Sequence, residues 1–178
     1  AIARELASSS NGVILKHLRI ANAGTVGVQM GAIGTVLINC KISGSGTDGV
    51  TTSTHGTYLV GCEVSVNTGD GIQLRGDDIV TAGCYIHDNG GAGVNVDTTV
   101  AAGVLVNTII EANGSHGVLS EGTIFAWHCT IDGNTGATTS GVRATTAPLT
   151  LVFNSILSNN GEYGINADAS AIGGASTY

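Results

Sequence analysis

The stretch "GCYIHDNGGAGVNV" (Gly83–Val96) holds two short apolar strands separated by a Gly-rich turn. The same pattern returns along the whole chain. With the Gly before the second strand as a marker, it recurs at Gly27, Gly49, Gly71, Gly93, Gly117, Gly141 and Gly164, at spacings of 22 to 24 residues. An apolar residue follows every marker. Internal periodicity of this kind decides fold class before any local propensity does.

The register extends upstream of each marker. Nine residues before it stand Leu18, Cys40, Cys62, Cys84, Thr108 and Ser155, with Cys129 as the equivalent in the unit that carries a three-residue insertion. Two residues further on come Ile20, Ile42, Val64, Ile86, Ile110, Ile131 and Leu157. The later units add a column of Asn67, Asn89, Asn113, Asn134 and Asn160.

A unit of about 22 residues with period-2 alternation is too short for a helix pair or a propeller blade, and fits one coil of a parallel β-helix. The predicted fold is all-β: a single-stranded right-handed parallel β-helix, a solenoid of about seven coils of 22–24 residues with three short strands per coil. A leucine-rich repeat shares the period, but the chain lacks its L-x-x-L-x-L framework. The segments "LINCKISGSGTDGV" (Leu37–Val50) and "LVGCEVSVNTGDGI" (Leu59–Ile72) resemble the repeat of the pectate-lyase-like right-handed β-helix superfamily. The hand comes from that resemblance and from the general right-handed bias of parallel connections. Glycine at the bends is expected to supply φ > 0, a region that Asn also tolerates.

Residues 11–169 are assigned to the β-helix, 1–10 to an N-terminal cap, with Ile2 and Leu6 suited to a short helix, and 170–178 to a C-terminal tail. The small residues of that tail suit a cap poorly, which favours a fragment of a larger chain. Net charge is −7 with six Lys and Arg, so nucleic acid is not expected as a partner. No apolar run reaches the length of a membrane span, and no signal peptide is visible.

The cysteines share one column with inward parity, which predicts an interior ladder of reduced thiols; parallel Cβ vectors suit a disulfide poorly. "GSGTDG" (Gly44–Gly49) is set aside as a dinucleotide fingerprint because a strand, not a helix, follows it. The five histidines form no ligand cluster, and no metal site is assigned.

Three outward faces remain. On the strand before the Cys column the outward positions are almost all apolar: Val36, Ile38, Tyr58, Val60, Val80, Val104, Val106, Phe125, Trp127, Leu151 and Phe153. Such a patch exceeds what a monomer tolerates in water and predicts an interface, most simply a homotrimer of coaxial copies. The alternative is a parity error that places one column in the core. On the strand after the marker the face is polar. Gln73, Arg75, Asn95, Asp97, Glu121 and Arg143 are the candidate substrate-binding residues, with Arg75, Asp97 and Glu121 the catalytic candidates. The residues alone favour an ordinary solvated face, with Arg75 neutralising Asp97, over a binding site. The third face offers Tyr85, His87, Glu111, Asp132 and Glu63, an acid–base set that nothing in the sequence orients.

In the superfamily that the repeat resembles, the strand after the marker often forms a polysaccharide groove, and tailspikes and surface adhesins use similar coils. Uniform units, short connections and an apolar outer face favour a structural or adhesive module of an extracellular or virion fibre or spike, binding glycan on its polar face. A polysaccharide lyase or glycoside hydrolase is the alternative. No cofactor is assigned; calcium enters only for a lyase, with Asp70, Asp77 and Asp78 near Arg75 as ligands.

Overall fold

The computed structural model describes residues 6–8, 10–145 and 149–168. Their strands fall into three parallel sheets that run the length of the chain. Sheet B collects the first strand of every coil: β2 (Ile14–Lys16), β5 (Val36–Ile38), β8 (Tyr58–Val60), β11 (Ile79–Ala82), β14 (Gly103–Val106), β17 (Ile124–Trp127) and β20 (Thr150–Phe153). Sheet C collects the second, from β3 (Arg19–Ala21) to β21 (Ile156–Ser158). Sheet A collects the third, from β4 (Val28–Met30) to β22 (Tyr163–Ala167). Seven coils result, and every residue lies over its counterpart in the next repeat: Thr81 pairs with Leu59 and Leu105, Ile86 with Val64 and Ile110. At about 4.8 Å per coil the stack stands about 34 Å tall.

The bends explain why so short a unit closes on itself. Every coil places a residue with φ near +50 to +60° between sheets B and C: His17, Asn39, Gly61, Gly83, Asn107, His128 and Asn154. A second such column follows sheet C, at Asn22, Gly44, Val66, Asp88, Ala112, Gly133 and Asn159. The first coil pairs in register with the second, Leu15 with Leu37 and Ile20 with Ile42. The left-handed column between sheets B and C resets the side-chain parity, so an inward Leu59 and an inward Cys62 both reach the core.

The marker glycines have another cause. None of them has positive φ; among the described residues only seven glycines do. A Cβ on Gly71 would stand 2.6 Å from Gly93 O, 2.7 Å from Ile86 Cγ2 and 2.8 Å from Asn89 Nδ2. These positions need glycine because the coil above approaches too closely for any side chain. The expectation that glycine supplies φ > 0 therefore holds for seven described glycines at bends and not for the marker column.

Ile, Leu and Val from all three sheets fill one continuous core: Leu37, Leu59, Leu105, Ile42, Ile86, Ile131, Leu74 and Val96 are almost fully excluded from solvent. The four cysteines are buried and free, and burial pushes the Cys40 and Cys129 thiols up. The asparagine column is a buried amide ladder. Asn89 Nδ2 donates to Asn113 Oδ1 at 3.0 Å and Asn113 Nδ2 to Asn134 Oδ1 at 2.8 Å. Each carbonyl oxygen also accepts the backbone N–H of the Asn in the previous coil, at 3.1 Å in both cases. The ladder satisfies donors that the bend would otherwise bury unpaired.

The short helix predicted in the first ten residues is not formed in its described part. Leu6–Ser8 are a strand, β1, paired in parallel with Val28–Met30 at the start of sheet A. An extended segment continues that sheet's ladder, which a helix could not do. The remainder of the expected cap, residues 1–5, and the C-terminal tail lie outside the described residues.

Candidate functional site

Each sheet presents one outer face. On sheet B the predicted parity holds. Leu37, Leu59, Thr81, Leu105 and Ala126 are buried, while their neighbours Val36, Ile38, Val80, Val104, Val106, Phe125, Leu151 and Phe153 are half-exposed. Tyr58, Val60 and Trp127 are 42%, 40% and 43% exposed. Neither apolar column belongs to the core. The face carries both phenylalanines, the one tryptophan and one of the four tyrosines of the chain. Trp127 lies 5.8 Å from Phe153 and 6.5 Å from Phe125, ring centroid to centroid.

Sheet A is polar outside but its groups are largely spent on one another. Asp97 closes its own turn: its Oδ1 accepts the Thr99 N–H at 3.2 Å and the Thr98 and Thr99 hydroxyls. These bonds, led by the Thr99 N–H, hold the carboxyl below the usual range. Arg143 donates to Asn166 Oδ1 at 2.6 Å and Asp168 Oδ1 at 2.7 Å. Asn95 donates to Asp70 Oδ2 at 2.8 Å, and Gln73 is buried to 9% exposure. Arg75 is exposed and makes no ion pair within 4.0 Å among the described residues, so it does not neutralise Asp97 by contact. Arg75, Asp97 and Glu121 occupy successive coils without direct bonds between them. Among the described residues no group of three or more His, Cys, Asp and Glu could hold a metal ion.

Two features of this face escaped the sequence reading. Asp48 Oδ1 accepts the Asp70 N–H at 2.9 Å, and Asp70 Oδ1 accepts the Ala92 N–H at 2.7 Å, an aspartate ladder at the entry to the sheet. Burial pushes the Asp70 carboxyl up despite these bonds. In the same column His116 Nδ1 accepts the Ser140 N–H at 2.9 Å. Burial, with the Arg143 charge, holds this imidazole below its ordinary value. The column immediately before the marker glycine was the available signal.

Sheet C brings together the set expected to lack orientation. Its outward positions carry Lys41 in the second coil, Glu63 in the third, Tyr85 and His87 in the fourth, and Glu111 in the fifth. Lys41 Nζ bonds Glu63 Oε1 at 2.5 Å, which chiefly holds the Glu63 carboxyl down. His87 Nε2 lies 3.4 Å from the same oxygen, and His87 Nδ1 lies 2.7 Å from Asp88 Oδ2. The imidazole stacks on Tyr85 at 4.0 Å between centroids. Tyr85 OH donates to Glu111 Oε1, and this bond raises the phenol to about 12. Asp132 stands apart, bonded by Ser158 and Asn159. The neighbouring columns thus fix His87 in place, with Lys41 and Asp88 supplying contacts that the sequence reading did not assign. An imidazole held between two carboxylates and a phenol is chemically suited to proton transfer.

The model of the right handed beta helix region matches residues 5–135. The chain belongs to this β-helix family. No curated protein matches it. Among solved structures, the β-helix is similar to the A-module of the Azotobacter vinelandii mannuronan C-5 epimerase AlgE6, with a TM-score of 0.68 and 13% identity, over 99% of this chain and 58% of that one. It is also similar to pectate lyase Pel9A, with a TM-score of 0.59 and 12% identity, over 90% of this chain and 52% of that one. The chain spans somewhat more than half the length of either structure, and at these identities the likeness is one of fold.

Proposed function

We propose that the chain is a structural or adhesive β-helical module of an extracellular or virion-surface fibre or spike, in which three coaxial copies bury their sheet B faces. One observation carries this reading: every coil turns apolar side chains outward on the same sheet, from Ile14 to Phe153. A solvated sheet face alternates apolar with polar, and a contiguous apolar surface of this height exceeds the few hundred Å² usual on a monomer. Covering it on copies of the chain removes it from water at about 25 cal/mol per Å². The mass of the particle in solution tests the reading, and charge at Val106 tests the face. The polar sheet A face, with Arg75 free to bond, is the surface left for a glycan; retention on a glycan array that is lost in Arg75→Ala tests that part.

A second reading, a polysaccharide-acting enzyme, draws on the orientation of His87 by Glu63, Asp88 and Tyr85, and on the names of the two structures that share the fold. Incubation with a polyuronate and Ca²⁺ tests it: product that vanishes in His87→Ala or Arg75→Ala supports an enzyme, and no product from uronan or neutral glycan removes it.

A further inference from the structure

The charges on sheet C are sorted along the rod. Of the six Lys and Arg residues in the chain, four lie in the first 41 residues. On the outer face of sheet C the first two coils present Arg19 and Lys41; the coils from the third to the sixth present Glu63, Glu111 and Asp132, with Asp88 on the adjoining bend. Arg19 is exposed and has no ion pair among the described residues. Within the acidic half stand the exposed apolar groups Tyr85 and Ile109, at 37% and 42%. The face thus has a basic end and an acidic end, a polarity that is complementary to itself when the second copy is reversed.

We infer that sheet C is a second self-association surface, on which a second copy of this chain docks with its rod antiparallel. A two-fold axis lying between the third and fourth coils sets coil one against coil six, two against five and three against four. Arg19 then meets the partner's Asp132, Lys41 meets the partner's Glu111, and Glu63 meets the partner's His87. The facing positions within a strand pair are two residues apart, about 6.6 Å, within the reach of a Lys or Arg side chain. A parallel arrangement would set Lys41 on Lys41 and Glu111 on Glu111, which is repulsive. Isologous pairing of this kind is the commonest closed symmetry. The patch is narrow, one three-residue strand with its bends, so the contact belongs to the small, salt-sensitive class of interfaces. It is independent of sheet B, and a rod that uses both faces assembles into lateral bundles.

The test is a charge exchange in the Val106→Asp background, where sheet B no longer contributes. Mass is measured by sedimentation at low and high salt. The expected result is a dimer at low salt that dissociates in about 0.5 M salt, where screening extends over only a few ångströms. Lys41→Glu and Glu111→Lys each weaken the dimer at least tenfold, and the double variant restores it. Within one chain these residues are three coils, about 14 Å, apart, so rescue reports a contact between chains. A monomer at every salt concentration, a dimer indifferent to salt, or a double variant no better than either single one overturns the inference. Sheet B assembly is judged separately, on the unsubstituted chain at high salt.

Discussion

Trp127 lies against Phe153 with 5.8 Å between ring centroids and the ring planes tilted by 33°, and 43% of Trp127 remains open to solvent. The two residues are direct partners in register between coils six and seven. Ring pairs at this separation gain about 0.5–1.5 kcal/mol beyond their burial, which holds the rings in a preformed cluster. An interface that is already ordered loses little side-chain freedom when it is covered.

Val106→Asp therefore breaks the assembly without unfolding the coil. Val106 is half-exposed and outward, beside a fully buried Leu105. Circular dichroism is expected to stay unchanged while the mass, measured at about 0.5 M salt where sheet C contacts are screened, falls to one chain. Leu105→Ala gives the reverse: about 2–5 kcal/mol of stability is lost from the core, seen as a lower Tm.

Asn113→Ala removes one rung of the amide ladder. The Asn89 N–H and Nδ2 lose their shared acceptor at once. Each buried donor left unpaired costs about 1–3 kcal/mol. A loss of about 2–4 kcal/mol in denaturant unfolding is expected; a loss under 0.5 kcal/mol contradicts the ladder's role.

Gly71→Ala and Gly24→Ala separate the two uses of glycine. A Cβ at Gly71 meets backbone and a core methyl within 2.8 Å, whereas at Gly24 nothing lies within 4 Å and φ is ordinary. Gly71→Ala is expected to cost more than about 2 kcal/mol, as overpacking does. Gly24→Ala is neutral or stabilising by about 0.4–1 kcal/mol, through the unfolded chain.

Two pH effects follow with opposite settings. His116 is held below its ordinary value, so the unfolded chain binds its proton more readily. Its share of stability is complete above the ordinary value of 6.5 and is lost as pH falls below it. The Ser140 N–H fixes Nδ1 as acceptor, and nitrogen NMR is expected to show the proton on Nε2. Tyr85 is raised to about 12 by Glu111, so that contribution is present below about 10 and lost as pH rises through 12. In Glu111→Gln the phenol is expected to ionise at a lower pH, followed by ultraviolet absorbance.

The fold was legible because the columns repeat. Cys40, Cys62, Cys84 and Cys129 marked one inward column, and the strand alternation followed from it, including the apolar outward pairs of sheet B. The cause of the marker glycines was not legible, since close approach of Gly93 O to Gly71 depends on coil spacing rather than on local turn chemistry. Nor was the sheet C network. Lys41, Glu63 and Tyr85 stand at identical positions in successive repeats, yet the 3.4 Å contact of His87 with Glu63 and the turn of Asp88 back onto His87 arise from side-chain geometry at a left-handed bend. Arg75 and Asp97 show the converse: adjacency in the repeat placed them in neighbouring coils, and the Thr99 N–H took the carboxylate instead.

The most direct measurement is the light-scattering mass of the unsubstituted chain after size exclusion, at micromolar concentration and about 0.5 M salt, where sheet C contacts are screened. The account expects three times the 17.7 kDa of one chain. A clean monomer of 17.7 kDa would contradict it and leave the apolar face of sheet B without the partner proposed for it.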